Sequence, residues 1–339
     1  MKHEKGKRCN KYQVDNLNDL LTISEPITIP PSLPLLTADS AAPSTLVTSV
    51  ISGGSMYVPM PVDAYSIHGA VYTGRAQIGW IGQLADMPGD FCLHADAKYK
   101  LHHGSWILFT LGTHHLRFDN GTLSTSFVPL MYLFCKEHET DGASKLVMDA
   151  ANCVSLKYFG KKLFPGAASA DHAASIRKGF VTTWPDVEFG QCYPHLIRKM
   201  GEGAYFSKTW EHSADSINML RHINMAGTTA MKGMIVRAAG DMWDSWGTQL
   251  DKFWDSNLTD PWDCWSICDM DTMLSTPSNQ AQESWHKQLL QSRIPGLFKG
   301  STAKVVVDVL PQLIKMDGIL IPDKLCFHVS DPSLPDKCM

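Results

Sequence analysis

Between residues 91 and 135 three apolar stretches alternate with turn-forming residues, a pattern that predicts three consecutive strands. Residues 91–96 form the first and residues 105–118 the second, with His102, His103 and Gly104 between them as a hairpin turn. Asn120-Gly121 is a sharper turn signal, because this pair tolerates the positive φ of a tight hairpin, and residues 126–135 follow as the third strand. The period then changes. Leu146, Ala150, Val154 and Tyr158 recur every four residues with Cys153 on the same side, and Gly160 supplies the stop of a helix. A short strand ends at Ala170-Asp171, and a second helix shows Ala173, Ile176, Phe180 and Trp184 on one face. Residues 187–191 predict another strand, after which Pro194 stands where the first turn of a helix accepts proline. Antiparallel hairpins followed by β-α-β units imply an α/β fold: a mixed sheet flanked by helices.

The flanks read differently. Residues 1–60 hold Pro30, Pro31, Pro34, a Ser/Thr/Ala-rich run and Gly53-Gly54, without helical or strand period, and are expected to be poorly structured. Residues 61–87 are a lead-in. Tryptophan, methionine and aspartate dominate residues 202–275, where the spacing of Trp243, Trp246, Leu250 and Trp254 predicts a mainly helical insertion. Its tryptophans read as core packing, with base stacking as the other use open to them. Thr276-Pro277 is a good N-cap and N1 pair for a helix running to about Leu290, on which Glu283 shares a face with Asn279, Gln280 and Lys287. The core is thus expected over residues 88–201 and 276–292, with a further helix near 302–315 and a tail within 293–339. No internal repeat is visible.

Composition narrows the class. At 339 residues, 44% hydrophobic and 19% charged, the chain has the make-up of a soluble globular protein. Its longest apolar run, residues 127–135, is far short of the roughly 20 residues a membrane span needs, so no membrane partner is expected. The basic, polar start from Met1 to Asn10 is followed by no apolar stretch, which leads us to expect an intracellular protein. Nine cysteines, an odd number, argue against a complete disulfide framework. The net charge of −4 is local: residues 241–271 hold eight aspartates against Lys252, and the remainder is slightly positive. Charge therefore neither demands nor excludes a nucleic-acid partner.

Three carboxylates are the candidate chemistry. Asp96 lies within a strand, Asp171 at the C-terminal end of another, and Glu283 on a late helix. Converging at one sheet edge, they would form an acidic triad for hard divalent ions such as Mg²⁺ or Mn²⁺. In phosphodiester displacement two such ions about 3.5–4 Å apart neutralise the attacking and leaving oxygens. The plainer alternative is that strand-end aspartates form turns or caps, Asp171 capping the helix after it. Cys192-x-x-His195 is half of a zinc pattern, with Cys264-x-x-x-Cys268 as the other half. Against that stands a buried thiol beside a histidine bonded to backbone. His102-His103 and His114-His115 read as strand-edge residues. Neither a GxGxxG nor a GxxxxGK[ST] phosphate loop occurs, nor HExxH or GxSxG.

At these motifs the chain resembles the Mutator-like element (MULE) transposases, over roughly residues 88–292. The likeness is closest from Ser169-Ala170-Asp171-His172 to Gln191-Cys192-Tyr193-Pro194-His195. That stretch is similar to the family's Ser-Asp, a helix ending in an aromatic-Pro, a strand and then Cys-x-x-His. Ser278-Asn279-Gln280-Ala281-Gln282-Glu283-Ser284 is similar to its Asn-rich Glu-Ser helix. The resemblance implies a ribonuclease-H-like (retroviral-integrase-like) core with a helical insertion before the last catalytic helix. It implies that Asp96, Asp171 and Glu283 are catalytic and hold Mg²⁺ or Mn²⁺. His195 would then bond a triad carboxylate or a DNA phosphate, with Cys192 packed beneath it. DNA strand cleavage and transfer on transposon ends and target, a homo-oligomer on DNA and a nuclear location follow from the same likeness. Two family features are missing. Residues 1–85 hold a single cysteine, Cys9, where a zinc-type DNA-binding region is usual, and the tail offers only Cys326-x-His328 and Cys338 toward a SWIM motif. Hence the alternatives: a fragment, or a domesticated or inactive transposase-derived DNA-associated regulatory protein.

Overall fold

The computed structural model describes residues 50–51, 55–58, 67–99, 102, 105–119, 122–136, 140–202, 209–247, 250–270, 278–289 and 300–321. Their strands are β1 (Val50–Ile51), β2 (Ser55–Val58), β3 (His68–Gly74), β4 (Cys92–Lys98), β5 (Trp106–Asp119), β6 (Thr122–Lys136), β7 (Ala167–Ala170) and β8 (Glu188–Gln191). They join in one sheet of order β1-β2-β3-β6-β5-β4-β7-β8. Every neighbouring pair from β1 to β4 is antiparallel, whereas β4–β7 and β7–β8 are parallel. The sheet is mixed, as expected.

Alternation along the strands builds two cores, because successive side chains leave opposite faces. Ile107, Phe109 and Leu111 of β5 join Leu93 and Ala95 of β4 on one face, under α1 (Arg75–Ala85), α2 (Asp141–Phe159) and α3 (Ala174–Thr183). Trp106 and Leu108 point the other way, with Tyr132 and Phe134 of β6, and are covered by α8 (Gln280–Gln288) and the C-terminal helices. Those helices are α9 (Thr302–Lys304), a π turn (Val305–Val309) and α10 (Leu310–Leu320). Pro311 brings no N–H to the ladder in the first turn of α10, immediately after the widened turn. A bulge between Leu111 and Gly112 adjoins Pro129 of β6, where a central strand tolerates proline. Thr73 donates to the Leu130 carbonyl there at 2.8 Å. A Cβ on Gly112 would stand 2.4 Å from the Val128 oxygen, so no other residue fits.

After β8 come α4 (Tyr193–Gly201), α5 (Ser213–Asn224), α6 (Thr229–Trp246), α7 (Asp251–Asn257) and a 3₁₀ turn (Ile267–Asp269). The helices inserted after residue 202 share one core with α4, made of Leu196, Met200, Leu220, Ile223, Ala239, Trp243, Leu250, Phe253 and Trp265, so most of the insertion's tryptophans pack rather than present open stacking faces. The insertion is tied to the sheet edge where Gln191 N–H donates to the Cys264 carbonyl at 2.6 Å.

Four expectations change. Within the stretch expected to lack structure, Val50–Ile51 and Ser55–Val58 pair as strands. The lead-in carries β3 and the buried face of α1, including Ile78, Trp80, Ile81 and Leu84. The late helix begins at Gln280 behind Asn279; Thr276-Pro277, like Asn120-Gly121, His103 and Gly104, lie outside the described residues. The histidines are not edge residues: His114 and His115 sit in β5, between β4 and β6, and His102 is buried with its Nε2 3.0 Å from the Thr302 hydroxyl. No helix among the described residues is long and apolar enough to cross a membrane.

Candidate active site

Because β4, β7 and β8 run parallel, their C-terminal ends share one edge of the sheet. Asp96 lies in β4 opposite Thr110 of β5, and the pleat turns it, like His94, away from the face that buries Leu93 and Ala95 and toward α8. Asp171 directly follows β7. Cys192 directly follows β8, and its N–H donates to the Ala170 carbonyl at 2.8 Å, so the two chain ends are neighbours. The helix after Asp171 has Ala173, not Asp171, at its N-cap position, and Ala173 makes no side-chain cap bond. Pro194 opens α4, which carries His195 and Arg198 along the same edge.

α8 closes the site from above. The Asn279 N–H donates to Cys192 Sγ at 3.1 Å, and Asn279 Oδ1 lies 2.9 Å from His94 Nδ1. One turn on, Glu283 meets α4: Oε1 is 2.8 Å from His195 Nε2 and Oε2 accepts from Arg198 Nη1 at 3.1 Å. Three residues further, His286 faces β4 with Nδ1 3.2 Å from Asp96 Oδ2. The other Asp96 oxygen accepts the Ala97 N–H at 2.8 Å. Gln282 donates to the Thr110 hydroxyl at 2.9 Å, and that oxygen is 3.4 Å from His286 Nε2. Deeper under α8, His94 and His114 stack with ring centroids 3.5 Å apart.

The electrostatics join the pieces. Burial pushes the Cys192 thiol up to about 12; the Asn279 and His195 backbone N–H groups pull against this, and the charges of Glu283 and Asp171 add to it. A thiol so placed is a packed hydrogen-bond acceptor, not a nucleophile at neutral pH. His195 is held below its ordinary value by burial, against the raising effects of Glu283 and Asp96. It therefore lies within the field of both carboxylates.

The carboxylates suit hard divalent ions in donor type, but their spacing does not. Among the described residues no three His, Cys, Asp or Glu side chains are grouped to hold a metal ion. Glu283 is engaged by His195 and Arg198, and both Asp96 oxygens have donors. The same finding covers the zinc pattern. Cys192 Sγ faces Asn279, while Cys264 and Cys268 lie beside Asp263 and Asp269.

Sequence reasoning singled out Asp96, Asp171, Cys192, His195 and Glu283, and the fold brings all five to this edge. It missed His286, Arg198, Gln282 and Thr110. The available signal was helical spacing: His286 follows Glu283 by three residues and Arg198 follows His195 by three, which places each pair on adjoining helix surface. No protein-family model matches the chain, and no curated protein matches its sequence.

Proposed function

We propose that the chain is a transposase-type enzyme that cleaves and transfers DNA strands, built on a ribonuclease-H-like core with Asp96, Asp171 and Glu283 as its acidic residues. The observation that carries this reading is topological. Three antiparallel strands (β6, β5, β4) are continued on the β4 side by two parallel ones (β7, β8), with α2 and α3 as crossovers and a helical insertion before α8. That is the order expected of a ribonuclease-H-like core, and it lays the helix bearing Glu283 across the strand bearing Asp96. The basic last turn of α4 carries Arg198, which is exposed and bonds Glu283, and half-buried Lys199, so positive charge lies along the same edge for a phosphate backbone. Mg²⁺ or Mn²⁺ belongs to this reading on donor type alone. DNA ends and target as partners, a homo-oligomer on DNA and a nuclear location belong to it through the MULE likeness.

A strand-cleavage assay on the DNA flanking the encoding element tests the reading. Alanine at Asp96, Asp171 or Glu283 should abolish cleavage with the fold intact, and full activity of Asp171→Ala would sink it. A second reading, a transposase-derived protein that associates with DNA without cutting, is favoured by the engagement of Glu283 and Asp96 with basic and imidazole partners rather than with each other. Retained DNA association with neither cleavage nor calorimetric Mn²⁺ binding would select it.

A further inference from the structure

His286 was not marked out by any motif, yet it is 2% exposed and joins the two elements that define the site. Its Nδ1 stands 3.2 Å from Asp96 Oδ2 and its Nε2 3.4 Å from Thr110 Oγ1. The hydrogens along this line can run in one consistent direction. Gln282 Nε2–H donates to the Thr110 hydroxyl at 2.9 Å, that hydroxyl can donate to His286 Nε2, and His286 Nδ1–H then donates to Asp96. A neutral imidazole with its proton on Nδ1 satisfies every link. Among the described residues the Asp96 carboxylate is otherwise held by the N–H of the adjacent Ala97, which fixes one oxygen and leaves the carboxylate plane unset, while the Thr110 hydroxyl also lies 3.4 Å from the Asp96 backbone carbonyl.

We propose that His286 is the positioning residue for Asp96, transmitting the seat of α8 on β5 to the orientation of the β4 carboxylate. α8 would thereby set both ends of the site, presenting Glu283 directly and aiming Asp96 through His286. The proposal rests on the strand-cleavage reading only in taking Asp96 as a reacting-site carboxylate.

The two imidazole nitrogens can be tested apart in the full chain. Asparagine at 286 places an amide where Nδ1 stands, and glutamine places one nearer Nε2. His286→Leu should lower the cleavage kcat about 10- to 100-fold with the KM for DNA unchanged, the usual loss when an orienting partner goes. His286→Asn should restore most of the rate, and His286→Gln should not. Equal rates for the asparagine and glutamine variants, or a wild-type rate for leucine, overturn the proposal. Crystal structures of the same variants separate it from the functional reading. Should the wild-type chain cut no DNA, the cleavage reading fails on its own. The positioning claim is then upheld by an Asp96 carboxylate that turns in His286→Leu and returns in His286→Asn, and overturned by one that does not move.

Discussion

Replacing Lys232 by methionine should loosen the insertion by an amount that its hydrogen bonds foretell. The ammonium of Lys232, on α6, donates to the Asp263 carbonyl and to both Asp269 oxygens, each at 2.7 Å, so three donors meet three acceptors. The side chains are only 11% and 6% exposed. Breaking a buried pair by removing one partner costs about 3–5 kcal/mol, because the other charge is left in a low dielectric. Asp269 retains help, since its Oδ2 also accepts the N–H groups of Trp265 at 3.0 Å and Ser266 at 2.7 Å. Lys232→Met should therefore fall near the lower end, about 3 kcal/mol. Asp269→Ala should cost more, about 4–5 kcal/mol, since it strands the ammonium on one carbonyl and releases two backbone donors. The double variant leaves no buried charge and should cost less than the sum of the two. Urea unfolding followed by tryptophan fluorescence suits the measurement, because Trp243 and Trp265 lie in this core. A cost below about 1 kcal/mol for Lys232→Met, or one exceeding that of Asp269→Ala, would refute the ordering argued from these bonds.

Three further outcomes are expected. Gly82→Ala in α1 should destabilise by about 1–3 kcal/mol despite alanine's higher helix propensity, because its Cβ would stand 2.5 Å from the Phe159 ring of α2; a raised unfolding midpoint would contradict this. Burial pushes Cys264 up to about 11 and Cys192 to about 12, so in the folded chain both thiols should resist a disulfide reagent at pH 8 and react once urea unfolds it; rapid labelling of native Cys192 would count against the packing described. Burial lowers His94 to about 4 and, with His94 beside it, holds His114 well below its ordinary value. The unfolded chain then binds more protons, so stability is complete above about pH 6.5 and declines as pH falls toward 4. Unfolding midpoints at pH 5 and 7.5 measure this, and equal midpoints would refute it.

The elements that local pattern revealed are those whose signals sit within a few residues of one another. Gly160 ends α2 where the glycine alone predicted the stop, at a left-handed φ of 68°, and Thr140 caps its start. α1 escaped notice for the converse reason. It opens behind Gly74 with no side-chain cap and no acidic residue in its first turn, so the period of Ile78, Trp80, Ile81 and Leu84 carried no boundary signal. The histidines of β5 were misplaced because a strand's position in its sheet is not a local property. His114 and His115 become interior only when β4 and β6 pair on either side of β5.

The candidate site divides the same way. That Asp96 would lie in a strand, Asp171 at a strand end and Glu283 on a helix was legible, since each depends on periodicity over one or two turns. So was the opening of a helix at Tyr193-Pro194, which put His195 beside the carboxylates. Beyond a carboxylate bond for His195, expected from the MULE likeness, which group each carboxylate meets was not. Glu283 reaches Arg198 across 85 positions, and His94 reaches Asn279 across 185. Such contacts form only after the parallel β4–β7–β8 edge is assembled and α8 is laid over it. Nothing within a short window rewards them, because the loop-closure entropy they cost is recovered by the whole packed core. The amino-acid sequence by itself therefore determined the elements and the residue types they carry to the sheet edge. Only the tertiary structure decided that His195 and Arg198 hold Glu283, and that His286 holds Asp96.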